Sequence, residues 1–310
     1  MVSAPVPVRI ETDPAHGGRW TSLRAAGREW LWHRPEPRRR GVRPGDAFAD
    51  AGGLEECVPT VRGTPDHGDA WARPWHRAAD GTESADCPDF RISRLIRADG
   101  DRSVAEYRLT AEPGYRFLWA AHALLDLAPG ARIGIADGTP VRHYPDGGDR
   151  YVPGAWPSGL DRIGPDDGTA TGAVVDTDQV SVHDGTAVLR LAVEAVGQPV
   201  SVALWRNLGG FPERDPYRSV GVEPMLGRVF GLAAAGEGDA AVVPACGEVR
   251  WRLTVTAHTT PDVQKDAVQD SAAQNTDVQN NVVQNTDVQN NVVQNTDVQS
   301  NQKGTRTWSC

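Results

Sequence analysis

The chain has 310 residues, 39% of them hydrophobic, with a formal charge of -9 and a mean hydropathy of -0.45. That length and apolar content support one large domain or two ordinary ones. The acidic balance argues against a nucleic-acid backbone as partner, and no apolar run approaches the roughly 18 residues of a membrane span.

The N-terminus, MVSAPVPVRIETD, has no basic start followed by an apolar stretch, so no signal peptide is expected. Four cysteines (Cys57, Cys87, Cys246, Cys310) are scattered, with no CxxC pair. This usage fits a cytoplasmic, reducing setting better than a disulfide framework or a zinc site.

Taken in chain order, residues 1–260 read as short strands between turns. EWLWH (29–33) places Trp30 and Trp32 on one face of an extended run. RFLWAAHALLDL (116–127) and PVSVALW (199–205) are almost continuously apolar and suit strands buried on both faces. AVLRLAVEAV (187–196) alternates through Leu189, Leu191 and Val193. VRWRLTVTA (249–257) alternates through Val249, Trp251, Leu253 and Val255. Turns such as YPDGGD and GPDDG separate them. No amphipathic helix longer than two turns is evident. Many strands without a βαβ rhythm predict an all-β fold, a large antiparallel sandwich or barrel.

Composition changes sharply near residue 260. Both lysines, Lys265 and Lys303, and all asparagines but Asn207 lie beyond it. From Val263 a five-residue repeat runs to Gln302, with Gln at every fifth position from Gln264 to Gln299. Such a Gln/Asn tract buries too little to offset ordering costs of about 1–2 kcal/mol per residue. A disordered tail over 261–310 is expected. The alternative is a short β-solenoid, which would want stacked large apolar residues that are missing.

Familiar motifs are absent: there is no GxSxG, P-loop, HExxH or His-x-His. No metal is therefore expected. The stretch GTPDHGDAWARPW (63–75) concentrates candidate chemistry. His67 is either a turn residue or a polar contact oriented by Asp66, with Gly68 permitting close backbone approach. Trp71 and Trp75 offer flat apolar faces of the kind that hold a pyranose. Arg73 lies between them. His122, in LWAAHALL, is either a satisfied core histidine or a desolvated imidazole placed for proton transfer. Glu223, in SVGVEPMLG, either points to water from an edge or serves as a base, since burial without a partner is costly. Glu55 and Glu56 are adjacent, so on a strand at most one faces a site. Asn207 is a candidate for sugar hydroxyls. The other six histidines are read as surface or structural.

The segments GGLEECVPTVRGTPDHGDAWARPW (52–75), LWAAHALLDLAPG (118–130), LWRNLGGFP (204–212) and VGVEPMLG (220–227) together resemble the aldose 1-epimerase (galactose mutarotase-like) superfamily, in a divergent bacterial branch. The resemblance spans residues 5–257 and none of the tail. It implies an antiparallel β-supersandwich and a cofactor-free mutarotase that interconverts the anomers of a free or 6-substituted hexose. It implies His122 as general acid, Glu223 as general base and His67 as the histidine that helps bind and polarise the sugar. Glu56, Asp66, Trp71, Arg73, Trp75 and Asn207 are the expected sugar contacts, Glu56 and Arg73 from local context alone. The run EPMLGRVFG departs from the family's usual context after the base. The alternatives are a non-catalytic sugar-binding protein on the same fold, or a glycoside hydrolase or lyase, for which a second clear carboxylate is wanting. The oligomeric state is left open.

The composition break yields a test: a chain ending at residue 260 is expected to melt at the temperature of the full chain. Scanning calorimetry of both would refute the disordered tail if truncation lowered the midpoint by several degrees.

Overall fold

The computed structural model describes residues 4–148 and 150–260. The expected tail, 261–310, lies outside the described residues. The all-β expectation holds: two large antiparallel sheets, of ten and nine strands among the described residues, carry the architecture. The helical elements among these residues are single 3₁₀ turns such as Pro37–Gly41 and Ala70–Ala72.

Neighbouring strands at the heart of the ten-stranded sheet are Thr169–Val175, Val200–Phe211, Tyr217–Leu226, Trp119–Leu125 and Leu54–Cys57. The other sheet centres on Ala187–Ala195, Glu248–Thr259, Arg102–Ala111 and Phe90–Asp99. The alternation read in 249–257 is obeyed. Val249, Trp251, Leu253 and Val255 are buried, and Arg250 and Arg252 point outward. These apolar residues meet Val202, Leu204, Val220 and Val222 from the facing sheet in one continuous core, the layer-on-layer solution that buries one face of each sheet. Trp251 sits at its centre, stacked on Tyr107 at 5.1 Å and against Trp119 at 5.2 Å. Trp30 joins this core, whereas Trp32 stacks on Tyr217, so these two indoles do not share a face.

A charged network lies inside this sandwich. Glu56 is fully buried and accepts from Tyr107 Oη at 2.8 Å, from Trp119 Nε1 at 2.7 Å and from Arg94. Arg94 also holds Glu83, with Nη2 2.7 Å from its Oε2, and its guanidinium covers the Trp75 ring at 4.8 Å. Buried charges persist only when paired and hydrogen-bonded, and each member here is.

The ten-stranded sheet is covered on its second face too, which explains why its central strands read as continuously apolar. In Trp119–Leu125 every residue is buried. Along Tyr217–Leu226, Val220, Val222 and Leu226 enter the inter-sheet core, while Met225 joins a separate cluster with Cys57, Ala120 and Phe230 on the other side. It is this second face that carries the candidate site.

Removing Arg94 would leave Glu56 and Glu83 as buried charges without their shared partner. Arg94→Met is expected to lower unfolding free energy by about 3–5 kcal/mol, read from urea denaturation. A loss under about 1 kcal/mol would show that the network is not a structural requirement.

Candidate active site

Strand register assembles the site. The pairing of Trp119–Leu125 with Tyr217–Leu226 sets Ala120 opposite Met225 and Leu124 opposite Gly221, so His122 falls opposite Glu223. On its other side His122 pairs with Glu55. Cross-strand partners point to the same face, and these side chains form a row across the outer side of the sheet. The His122 Nε2 lies 3.7 Å from Glu223 Oε1.

Glu223 is 1% exposed, and its Oε2 has no hydrogen-bond partner among the described residues. Small neighbours make room for it. Ala203 is its partner on the adjoining strand. A Cβ on Gly221 would fall 2.3 Å from Glu223 Oε1, so the glycine lets the carboxylate lie against the backbone. Burial pushes the Glu223 carboxyl above its ordinary value, opposed by the charges of His122 and Arg62. Burial pushes His122 in the opposite direction, below its ordinary value, with Glu223 opposing and His67 adding to the shift. The two groups are thus drawn toward one another in proton affinity, a pattern that suits an acid and a base at one centre.

His67 approaches from a loop. Its backbone has φ +57°, and its N–H donates to Val61 O at 3.1 Å. Gly68 follows at φ +80°, where a Cβ would strike Val58 O at 2.1 Å, so the close approach requires glycine. The His67 Nδ1 is 2.8 Å from Asp66 Oδ1, and Asp66 Oδ2 accepts from the Phe48 N–H at 3.0 Å. Burial pushes the Asp66 carboxyl up, but these bonds outweigh it and the net shift is downward. Phe48 stacks flat on His67, with centroids 3.7 Å apart, and presents an edge to His122 at 5.6 Å. The imidazoles themselves meet edge to face at 5.1 Å.

A cavity of about 630 Å³ opens above this group. Asp66, His67, His122 and Glu223 line it together, with Phe48, Trp205, Tyr217 and Phe230 as aromatic wall. Arg34, Arg38, Arg62 and Arg214 also line it, alongside Glu36, Asp50 and Asp215. Asp50 accepts a short hydrogen bond from Tyr217 Oη.

The remaining expected contacts lie elsewhere. Trp71 and Trp75 are 1% and 4% exposed and do not line the cavity. Their indole N–H groups are used on backbone, Trp71 on Asp66 O at 2.9 Å and Trp75 on Ala70 O at 3.1 Å. Both indoles buttress the loop from behind. The indole that lines the cavity is the half-buried Trp205, paired across the strands with Gly221 and so next to Glu223. Its place in PVSVALW, alternating with Val202 and Leu204, is the signal that locates it on the site face. Glu56 belongs to the inter-sheet network, because strand parity turns it away from its neighbour Glu55. Glu55 is on the site face but is held by Arg39 through two bonds of 2.7 Å. Arg73 pairs with Asp69 at 3.6 Å, away from the cavity. Asn207 is buried and spends its amide on the backbone of residues 210 and 211.

The described body resembles solved structures, several of them named as aldose 1-epimerases or mutarotases. The chain has the galactose mutarotase-like fold. A protein of Escherichia coli K12 that carries a provisional aldose 1-epimerase name superposes with a TM-score of 0.62 at 14% identity, covering 84% of this chain and 99% of that one. A galactose mutarotase related enzyme from Lactobacillus acidophilus gives 0.58 at 13% identity, with 84% and 99% covered. A galactose mutarotase-like protein from Lactobacillus casei gives 0.52 at 13%, with 83% and 100% covered. No family model matches the chain, and no curated protein matches it. Among the described residues no helix is long and apolar enough to cross a membrane.

The opposed shifts of His122 and Glu223 are measurable. His122 is expected to titrate below the ordinary 6.5, read from its Cε1 resonance in ¹³C NMR. Glu223→Gln removes a negative charge that favours the imidazolium, so the variant's His122 should titrate lower still. Because the folded value is depressed, the His122 contribution to stability is present above pH 6.5 and is lost as pH falls through the folded value. A His122 that titrates at or above 6.5 would show a solvated ring and overturn the desolvated site.

Proposed function

We propose that the protein is a cofactor-independent mutarotase, with His122 as acid, Glu223 as base and His67 as the sugar-polarising contact. The observation that carries this reading is the buried His122–Glu223 pair at the base of the cavity. A fully buried carboxylate with one oxygen unpartnered is costly, and the charges that oppose its burial are those of His122 and Arg62. A sugar hydroxyl supplies the missing donor.

The chemistry follows from the position of the two oxygens on C1. They are geminal, so a donor and an acceptor a few ångströms apart reach both. His122 gives its proton to the ring oxygen as the bond from that oxygen to C1 breaks. Glu223 takes the proton of the C1 hydroxyl as the C1 carbonyl forms. Rotation about C1–C2 presents the other carbonyl face. On closure the ring hydroxyl attacks C1, His122 recovers its proton and Glu223 returns the one it took. No atom or electron is gained or lost overall. Asp66 fixes the His67 ring through Nδ1, which leaves its other nitrogen for the substrate, an orienting role that carboxylates commonly serve. Trp205 offers an apolar surface to the C–H face of the sugar.

Anomer exchange of glucose, galactose and their 6-phosphates, followed by saturation-transfer NMR, tests this directly. Exchange above the buffer rate is expected on at least one sugar. His122→Ala and Glu223→Ala should each lose about 10²–10⁴-fold, the usual worth of a general acid or base. The pH profile should be a bell, falling on its acid side as Glu223 gains a proton and on its other side as pH rises through the depressed His122 value, below 6.5. Binding without exchange on every sugar would leave a sugar-binding protein, and exchange that survives Glu223→Ala would reassign the base.

A further inference from the structure

We infer that the cavity receives the reducing end of a neutral glycan of two or more rings, and that Phe211 is the platform for the second ring. This rests on the sugar-site reading above. A pyranose displaces on the order of six waters, about 180 Å³ at about 30 Å³ each, and the cavity holds about 630 Å³. One ring over His122 and Glu223 leaves most of that space unfilled.

The outer part is furnished with an aromatic. Five large apolar side chains are exposed among the described residues, and of these Phe211 alone lines the cavity. It is 51% exposed and stands edge-on to Trp205, with centroids 5.7 Å apart at 88°. The two rings adjoin one another on the cavity wall, Trp205 half-buried and Phe211 exposed. What distinguishes Phe211 from the other exposed apolar side chains is its place on the cavity, where an aromatic face fits the C–H face of a second sugar ring.

Phe211 is also held in place. The strands Val200–Phe211 and Tyr217–Leu226 shift register between Leu208 and Phe211. The Asn207 side chain closes that irregularity. Its Oδ1 accepts from the N–H groups of Gly210 and Phe211, both at 3.0 Å, and its Nδ2 donates to Phe211 O at 2.7 Å. Asn207 is fully buried, so a desolvated amide is committed to the backbone of an exposed ring. Ordering the platform before the ligand arrives reduces the cost of binding. Asn207 acts here as a positioning residue.

Charge at the rim favours a neutral ligand over an anionic one. Arg38 is engaged by Glu36 through bonds of 3.0 and 2.9 Å, and Arg34 is 3.6 Å from Asp215. Arg34 and Arg38 thus have local counter-charges, and the four arginines of the lining stand beside five carboxylates, Glu36, Asp50, Asp66, Asp215 and Glu223.

The test is an NMR titration of the full chain with glucose, galactose, maltose, cellobiose and lactose, with anomer exchange read in the same samples. At least one disaccharide is expected to bind about three- to tenfold tighter than its reducing-end monosaccharide, the worth of one aromatic contact. Phe211→Ser should bring that ratio to about one, and Phe211→Tyr, which keeps the ring, should retain it. Equal affinity for one ring and two overturns the inference. So does a ratio untouched by Phe211→Ser, or the absence of binding by all five sugars. Tighter disaccharide binding without exchange upholds the glycan site while removing the catalytic reading.

Discussion

The structure depends on one register. Three adjacent strands, Leu54–Cys57, Trp119–Leu125 and Tyr217–Leu226, are buried on both faces, so hydrophobicity alone does not say which residue points where. Pairing decides it. With Ala120 opposite Met225, the residues His122 and Glu223 share the outer face, and Val220 and Val222 fill the sandwich. A slip of one residue would drive Glu223 into the inter-sheet core and Val222 into the cavity. The Glu56 network resists that slip from inside. Its hydrogen bonds from Tyr107 and Trp119 and its pairing with Arg94 are available on one face only.

Three buried carboxylates on this sheet show how the same physics yields different roles. Glu56 and Glu55 each have a guanidinium, from Arg94 and Arg39. Arg39 further ties the site's surroundings together by donating to His16 O at 2.9 Å and Trp71 O at 3.1 Å. Glu223 has no such bonded partner, and burial shifts its proton affinity upward with only His122 and Arg62 in opposition. A carboxylate that is fully satisfied is inert. One that is desolvated and lacks a hydrogen-bond partner is the candidate for chemistry, because a ligand donor would complete it.

The fold was legible in the sequence because alternation survives wherever a strand has one wet face, as in 249–257. His67, His122, Glu223 and Asp66 were legible as a group, and the structure brings all four to one cavity. The aromatic contacts were not. Trp71 and Trp75 lie close to His67 in sequence, but each indole N–H finds a backbone carbonyl within its own loop, and that local bond turns the ring inward. Trp205 and Phe48 are distant in sequence and arrive by tertiary pairing. Glu56 illustrates a limit of another kind. Parity showed that Glu55 and Glu56 must face opposite ways, but which one faces the cavity depends on register with a strand more than sixty residues away. Asn207 attracted notice as the lone asparagine of the body, and its burial has a structural cause that only the bulge reveals.

The division of labour between sheet and loops bears on how such a site works. The proposed acid and base, His122 and Glu223, sit on central strands, where neighbours on both sides fix their positions. Of the proposed sugar contacts, His67 sits on a loop and Phe211 at the end of its strand, and each is stiffened by its own device. Gly68 permits the close crossing at Val58, Arg39 anchors Trp71, and Asn207 clamps Phe211. Proton transfer tolerates little displacement, so its groups belong on the least deformable part of the fold. Recognition of different sugars tolerates more and is free to vary in loops. On that reasoning the proposed reaction would be set by the sheet row of His122 and Glu223. The rim from Trp205 to Phe211 would set which of the proposed glycans reaches it, and changes at the rim should alter affinity before they alter chemistry.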